Sequence, residues 1–82
     1  MNEFKSKLES IFTDAEINII DNTEDHLGHQ SSTGMHIAVR VKWHGFEGKS
    51  LIEQHRMVQE CLKEDLKEKI HALQIKTEVK NG

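Results

Sequence analysis

A chain of 82 residues is long enough for one domain with a core near the lower limit of self-sufficiency, so a single domain spanning 1–82 is expected. A formal net charge of -3 gives no global attraction to phosphate and argues against a strong nonspecific nucleic-acid binder. No apolar run approaches the ~20 residues of a membrane span and no signal-peptide succession opens the chain, so the expected location is intracellular, by default cytoplasmic. A lone cysteine, Cys61, has no partner for an internal disulfide, which fits a reducing compartment; inside a helical pattern it reads as a buried, inert thiol.

Phe4, Leu8, Ile11 and Phe12 recur at helical spacing and predict an amphipathic helix between Glu3 and Thr13. The isoleucine-rich run from Glu16 to Ile20, closed by Asp21-Asn22-Thr23, suits a strand and a turn. From Asn22 to Gly34 the chain is polar and aperiodic, a surface loop that carries His26 and His29. Ile37, Val39, Val41 and Trp43 alternate with His36, Ala38, Arg40 and Lys42, the period of a strand with one buried face.

Gly45 to Lys49 reads as a turn, and Ser50 three residues before Glu53 forms a capping-box pattern that starts a helix at Leu51. Its apolar positions are Leu51, Val58, Cys61 and Leu62, with His55 among them, and Leu66 and Ile70 continue the stripe past a break near Lys63. Leu73, Ile75, Thr77 and Val79 then alternate with polar residues in a last strand, and by parity His71 shares its dry face where helix gives way to strand. The order is helix, strand, strand, one or two helices, strand: an α+β layer of helices on a small sheet.

Six histidines are many for this length, and neutral imidazole is the commonest metal ligand. His26 and His29 in the loop and His71 at the junction can converge on a metal; equally, the loop pair can be solvated while His71 packs on the core. No second cysteine and no His-Glu-x-x-His helix matches a structural zinc site. His55-Arg56, early in a capped helix, either faces an anion or makes packing and surface contacts. No serine or cysteine stands in a nucleophile setting and no phosphate loop occurs, so binding rather than catalysis is expected.

The string Asp21-Asn22-Thr23 with His26-Leu27-Gly28-His29, then His36, then Phe46 to Val58, then Leu66 and Ile70-His71-Ala72-Leu73, resembles the BolA family in order over nearly the whole chain. The resemblance implies an αββααβ fold related to class II K-homology (KH-like) domains, with the third strand antiparallel to one neighbour and parallel to the other in a mixed three-stranded sheet packed on helices. It implies a protein that is monomeric alone and forms a heterodimer with a monothiol glutaredoxin. The two would share a bridging 2Fe-2S cluster in iron-sulfur trafficking or iron regulation, with no cofactor on the isolated chain. The glutaredoxin side would give its active-site cysteine and glutathione. This chain would give His71 and, lacking a loop cysteine, His26 or His29, so that one iron is held by sulfur and the other by nitrogen. His36 and His55 recur in the family and are expected in structural or interface roles.

Gln54 stands where many members carry arginine, which weakens a basic surface, and Ile37 replaces an aromatic often found after the histidine. The other reading is a KH-like nucleic-acid-binding regulator. It would use Lys49, His55 and Arg56, with Gly45-Phe46-Glu47-Gly48 in the spelling of a Gly-x-x-Gly loop but with a glutamate inside it.

Overall fold

The computed structural model describes residues 2–21 and 35–81. The expected loop from Asn22 to Gly34, with His26 and His29, lies outside the described residues. The elements follow as α1 (Asn2–Ile11), β1 (Glu16–Asp21), β2 (Met35–Trp43), a 3-10 turn (His44–Phe46), α2 (Leu51–Cys61), α3 (Lys63–Glu68) and β3 (Ile70–Val79). Among the described residues, no helix is long and apolar enough to cross a membrane.

The three strands form one sheet in the order β1-β2-β3. β1 pairs with β2 antiparallel, from Glu16 opposite Lys42 to Asp21 opposite Ile37, and β2 pairs with β3 parallel, from Met35 opposite Ile70 to Trp43 opposite Val79. The mixed sheet is as expected, but the strand with both kinds of neighbour is the second, not the third. The reason is connectivity: α2 and α3 carry the chain back to the end where β2 began, and such a crossover delivers a parallel strand at the edge.

Alternation places Ile37, Val39 and Val41 of β2 on the helix side of the sheet, all nearly inaccessible, beside Ile17 of β1. Phe4, Leu8 and Phe12 from α1 and Val58 and Leu62 from the crossover close over them. Each such side chain, fully buried, contributes roughly 1.5–3 kcal/mol of transfer free energy. Two positions of the expected apolar stripes are not core. Ile11 is 49% exposed and Leu51 61% exposed. The whole first turn of α2, residues 51–53, stands in solvent, so its inward stripe begins at Gln54 rather than at Leu51.

Gln54 is buried and satisfied: Thr77 Oγ1 donates to its Oε1 at 2.6 Å, and its Nε2 donates to the Lys49 carbonyl at 2.9 Å. The residue therefore ties α2 to β3 and the preceding turn, and takes no part in the surface charge. Lys7 Nζ donates to the buried Asp65 at 2.6 Å, tying α1 to α3, and that hydrogen bond pushes the Lys7 ammonium pKa up.

The segment read as a plain turn is partly core. Phe46 is fully buried within an aromatic group, 5.4 Å from Phe12 and 5.2 Å from Trp43 between ring centroids. Trp43 Nε1 donates to the Thr13 carbonyl at 3.0 Å, which anchors the indole. The break expected near Lys63 falls at Leu62, whose φ and ψ of -104° and 16° separate α2 from α3. α3 ends at Glu68, and Ile70 is the first residue of β3 rather than the last of a helical stripe, because pairing with Met35 begins there.

Candidate functional site

Two histidines meet at the end of the sheet where β2 and β3 both begin. His36 follows Met35 at the start of β2, and His71 follows Ile70 at the start of β3. The Met35 N–H donates to the Lys69 carbonyl at 2.9 Å, which locks the two strand starts together. Between Met35 and His36 the register shifts: Met35 lies opposite Ile70, but His36 lies opposite Ala72. β3 thus has one residue more than β2 at this point, and that residue is His71, left without a partner across the ladder as in a bulge.

The bulge overturns the parity expectation for His71. Ile70 is buried, 4% exposed, and Leu73, Ile75 and Thr77 continue inward in register with Ile37, Val39 and Val41. Straight alternation back from Leu73 would put His71 inward too, but the extra residue breaks that count, and His71 is exposed. Its ring lies against His36, with centroids 5.3 Å apart and planes tilted by 49°. His36 is half-buried and shares the parity of Ala38 and Arg40, the sheet face away from the helices.

His36 is the residue that reading the sequence placed apart from the chemistry. Its nearness to His71 depends on a parallel register between segments 35 positions apart (71 minus 36), and no local pattern encodes that register. Among the described residues, no three His, Cys, Asp or Glu side chains gather as a metal group.

The other candidates are elsewhere. Lys49 and Arg56 are exposed and His55 is half-buried, all on α2 or just before it. The α2 amino end is already answered from within: the Ser50 N–H donates to Glu53 Oε1 at 2.8 Å, and the Glu53 N–H donates to Ser50 Oγ at 3.2 Å. The Glu53 carboxylate sits at the helix start, where it opposes an incoming anion. The hydrogen bonds from Ser50 hold the Glu53 carboxyl below its ordinary value.

Cys61 borders a shallow apolar groove with Ile11, Arg56, Met57 and Glu60 on the helical side. It is half-buried rather than fully buried, and desolvation pushes its thiol pKa up, which keeps it protonated and unreactive at neutral pH. The Gly45-Phe46-Glu47-Gly48 spelling is not an open phosphate-gripping loop, since Phe46 is sunk in the core and Gly45 lies beneath the Trp43 indole.

A groove of about 600 Å³ lies at mid-strand and is lined by residues of all three strands, Ile19, Arg40 and Ile75 among them. On its wall, Arg40 is engaged by Glu78 at 2.6–2.8 Å. The histidine pair lies further back, at the strand starts, so concavity and candidate chemistry do not coincide.

The sequence profile of the BolA-like proteins matches residues 8–81. The chain belongs to the BolA family. It is 33% identical over 79 residues to the chloroplastic protein BOLA1 of Arabidopsis thaliana, covering 90% of this chain and 49% of that protein. It is also 32% identical over 78 residues to SufE-like protein 1 of the same plant, covering 87% of this chain and 21% of the relative. The chain thus spans half or less of the length of these relatives. The solved structure of BolA1 from Arabidopsis thaliana superposes with a TM-score of 0.83 at 31% identity, covering 95% of this chain and 88% of that one. The three-stranded mixed sheet with its helices is therefore the BolA-domain fold, and both His36 and His71 fall within the stretch that carries the family match.

Proposed function

We propose that this BolA-family chain is an adaptor, not an enzyme, that binds a monothiol glutaredoxin and co-ligates a bridging 2Fe-2S cluster for iron-sulfur trafficking or iron regulation. The observation that carries the reading is His71, held out of the core by the bulge at the start of β3 beside a second imidazole. Membership of the family and similarity to a SufE-like protein support an iron-sulfur role.

The donor set suits the task. Two neutral nitrogens can replace two thiolates on one iron of a 2Fe-2S centre, which raises its potential. When bound, such a cluster supplies a one-electron redox centre and a transferable cargo. This chain's part is to present imidazole nitrogens, one of them at the start of β3, while the partner with its glutathione presents sulfur. His71 gives one nitrogen; on the resemblance, the second comes from His26 or His29.

Co-expression with a monothiol glutaredoxin tests the reading. The expected product is a coloured heterodimer whose visible circular dichroism differs from that of the glutaredoxin homodimer, and His71→Ala should abolish the difference. An unchanged spectrum in that variant would sink the assignment of His71.

A further inference from the structure

We propose that the outer edge of β3 is a self-association surface: a second copy of this chain adds its own β3 antiparallel there, joining the two three-stranded sheets into one. The isolated chain would then pair with itself, in place of the monomer that the family resemblance implies. The surface lies on the second half of β3, away from the histidine end of the sheet.

Among the described residues β3 is paired on one side only, by β2, so alternate N–H and C=O groups along its other side have no strand to meet. Exposed edges are ordinarily guarded by bulges, prolines or inward-pointing charges. From Ala72 to Val79 the ladder has no register shift and no proline, and its inward residues Leu73, Ile75, Thr77 and Val79 carry no charge. One guard is present, the exposed Lys76, but Glu78 follows two residues later on the same face.

That spacing makes the edge complementary to itself. About a two-fold axis through Thr77, each residue before Thr77 faces the one equally far beyond it on the other copy. Lys76 then faces Glu78 of the second copy, and Ile75 faces Val79, each pair occurring twice. Opposite charges and apolar side chains facing across two strands both stabilise the pairing. An axis at Lys76 or at Glu78 would set like charges opposite each other, and an axis at Ile75 would leave Lys76 facing only Gln74. Charge therefore selects the register. Glu78 already holds Arg40 at 2.6–2.8 Å, which orients its carboxylate on the sheet face before the second copy arrives.

Apolar surface is available in the same place. Ile75 and Val79 point toward the helices yet are only half-buried at the edge. Above them, the bond between Gln54 and Thr77 sets α2 over β3, and Ile11 of α1 meets α2 along Arg56, Met57, Glu60 and Cys61. Helical spacing turns the exposed Leu51, with His55, to the side of α2 away from α1, above the free edge.

Sedimentation equilibrium of the full chain tests this. The mass should rise from one copy toward two with concentration. Lys76→Glu and Glu78→Lys each set like charges in both ion pairs, so each variant alone should stay monomeric. Mixed in equal amounts, the two variants restore both pairs, and a heterodimer should form. A wild type that stays monomeric at its highest soluble concentration overturns the proposal, as does a dimer that both variants retain. A mixture of the two folded variants that stays monomeric overturns it too. Isotope-filtered NMR of labelled and unlabelled wild-type chains needs no substitution: Ile75 of one copy should contact Val79 of the other. Intermolecular contacts confined to another surface, such as β1, would place the dimer elsewhere and overturn the β3 edge.

Discussion

Gly45 shows how tightly a single position can be specified. A Cβ built there would lie 2.4 Å from a ring carbon of Trp43. The indole cannot simply swing aside, because its Nε1 is bonded to the Thr13 carbonyl and its ring meets Phe12 and Phe46 edge-on. Gly45→Ala should therefore cost about 1–3 kcal/mol, the range for overpacking a tight site. Chemical denaturation followed by the fluorescence of Trp43, the one tryptophan in the chain, reads both the loss and the altered indole environment. Trp43 is only two residues away, but where its indole lies is set by Thr13 and Phe12 from elsewhere in the chain, so the sequence around Gly45 spells only a turn. Phe46 escaped for the same reason: its burial depends on Phe12 and Trp43, which reach it from other elements. His71 was legible as a residue of interest but not in its direction, because a bulge belongs to a pair of strands and cannot be counted from one.

Helix α2 is the element that the sequence specified most completely. Ser50 and Glu53 sit at capping-box spacing, and both reciprocal hydrogen bonds are present. Replacing Ser50 by Ala should lower stability by about 1 kcal/mol, the usual cost of losing such a cap, measured as a lower thermal midpoint. The cap also has a pH signature. Glu53 titrates below its ordinary 4.5 in the folded protein because the Ser50 N–H donates to its carboxylate. Its contribution is thus fully present above about pH 4.5 and is lost as pH falls through the lowered folded value. In Glu53→Gln the stability should fall less steeply than in the wild type below pH 4.5, which denaturation midpoints across that range will show. Strand β2 was equally plain from its alternation, whereas β3 begins earlier than its alternation suggested. Ile70 fits a helical stripe as well as a strand, and the pairing with Met35 decides between them.

On the scale of the whole molecule, the order of elements followed from local periodicity, but the juxtaposition that makes the candidate site did not. It requires β2 and β3 to run parallel, hence the α2–α3 crossover, hence the folded core. The parallel start that brings His36 to His71 is thus a thermodynamic link. A cluster that binds His71 on this assembled start but not on the open chain stabilises everything needed to assemble it, in proportion to the logarithm of its concentration over its dissociation constant. Cluster loading of the heterodimer should slow amide exchange across α2 and α3, elements that contribute no ligand. Hydrogen-exchange mass spectrometry with and without the cluster checks this, and slowing confined to the first residues of β2 and β3 would show that no such link exists. A ligand held at the start of an edge strand would then make the chain a reporter of its own integrity, able to hold its cargo only while the helices that never touch it remain folded.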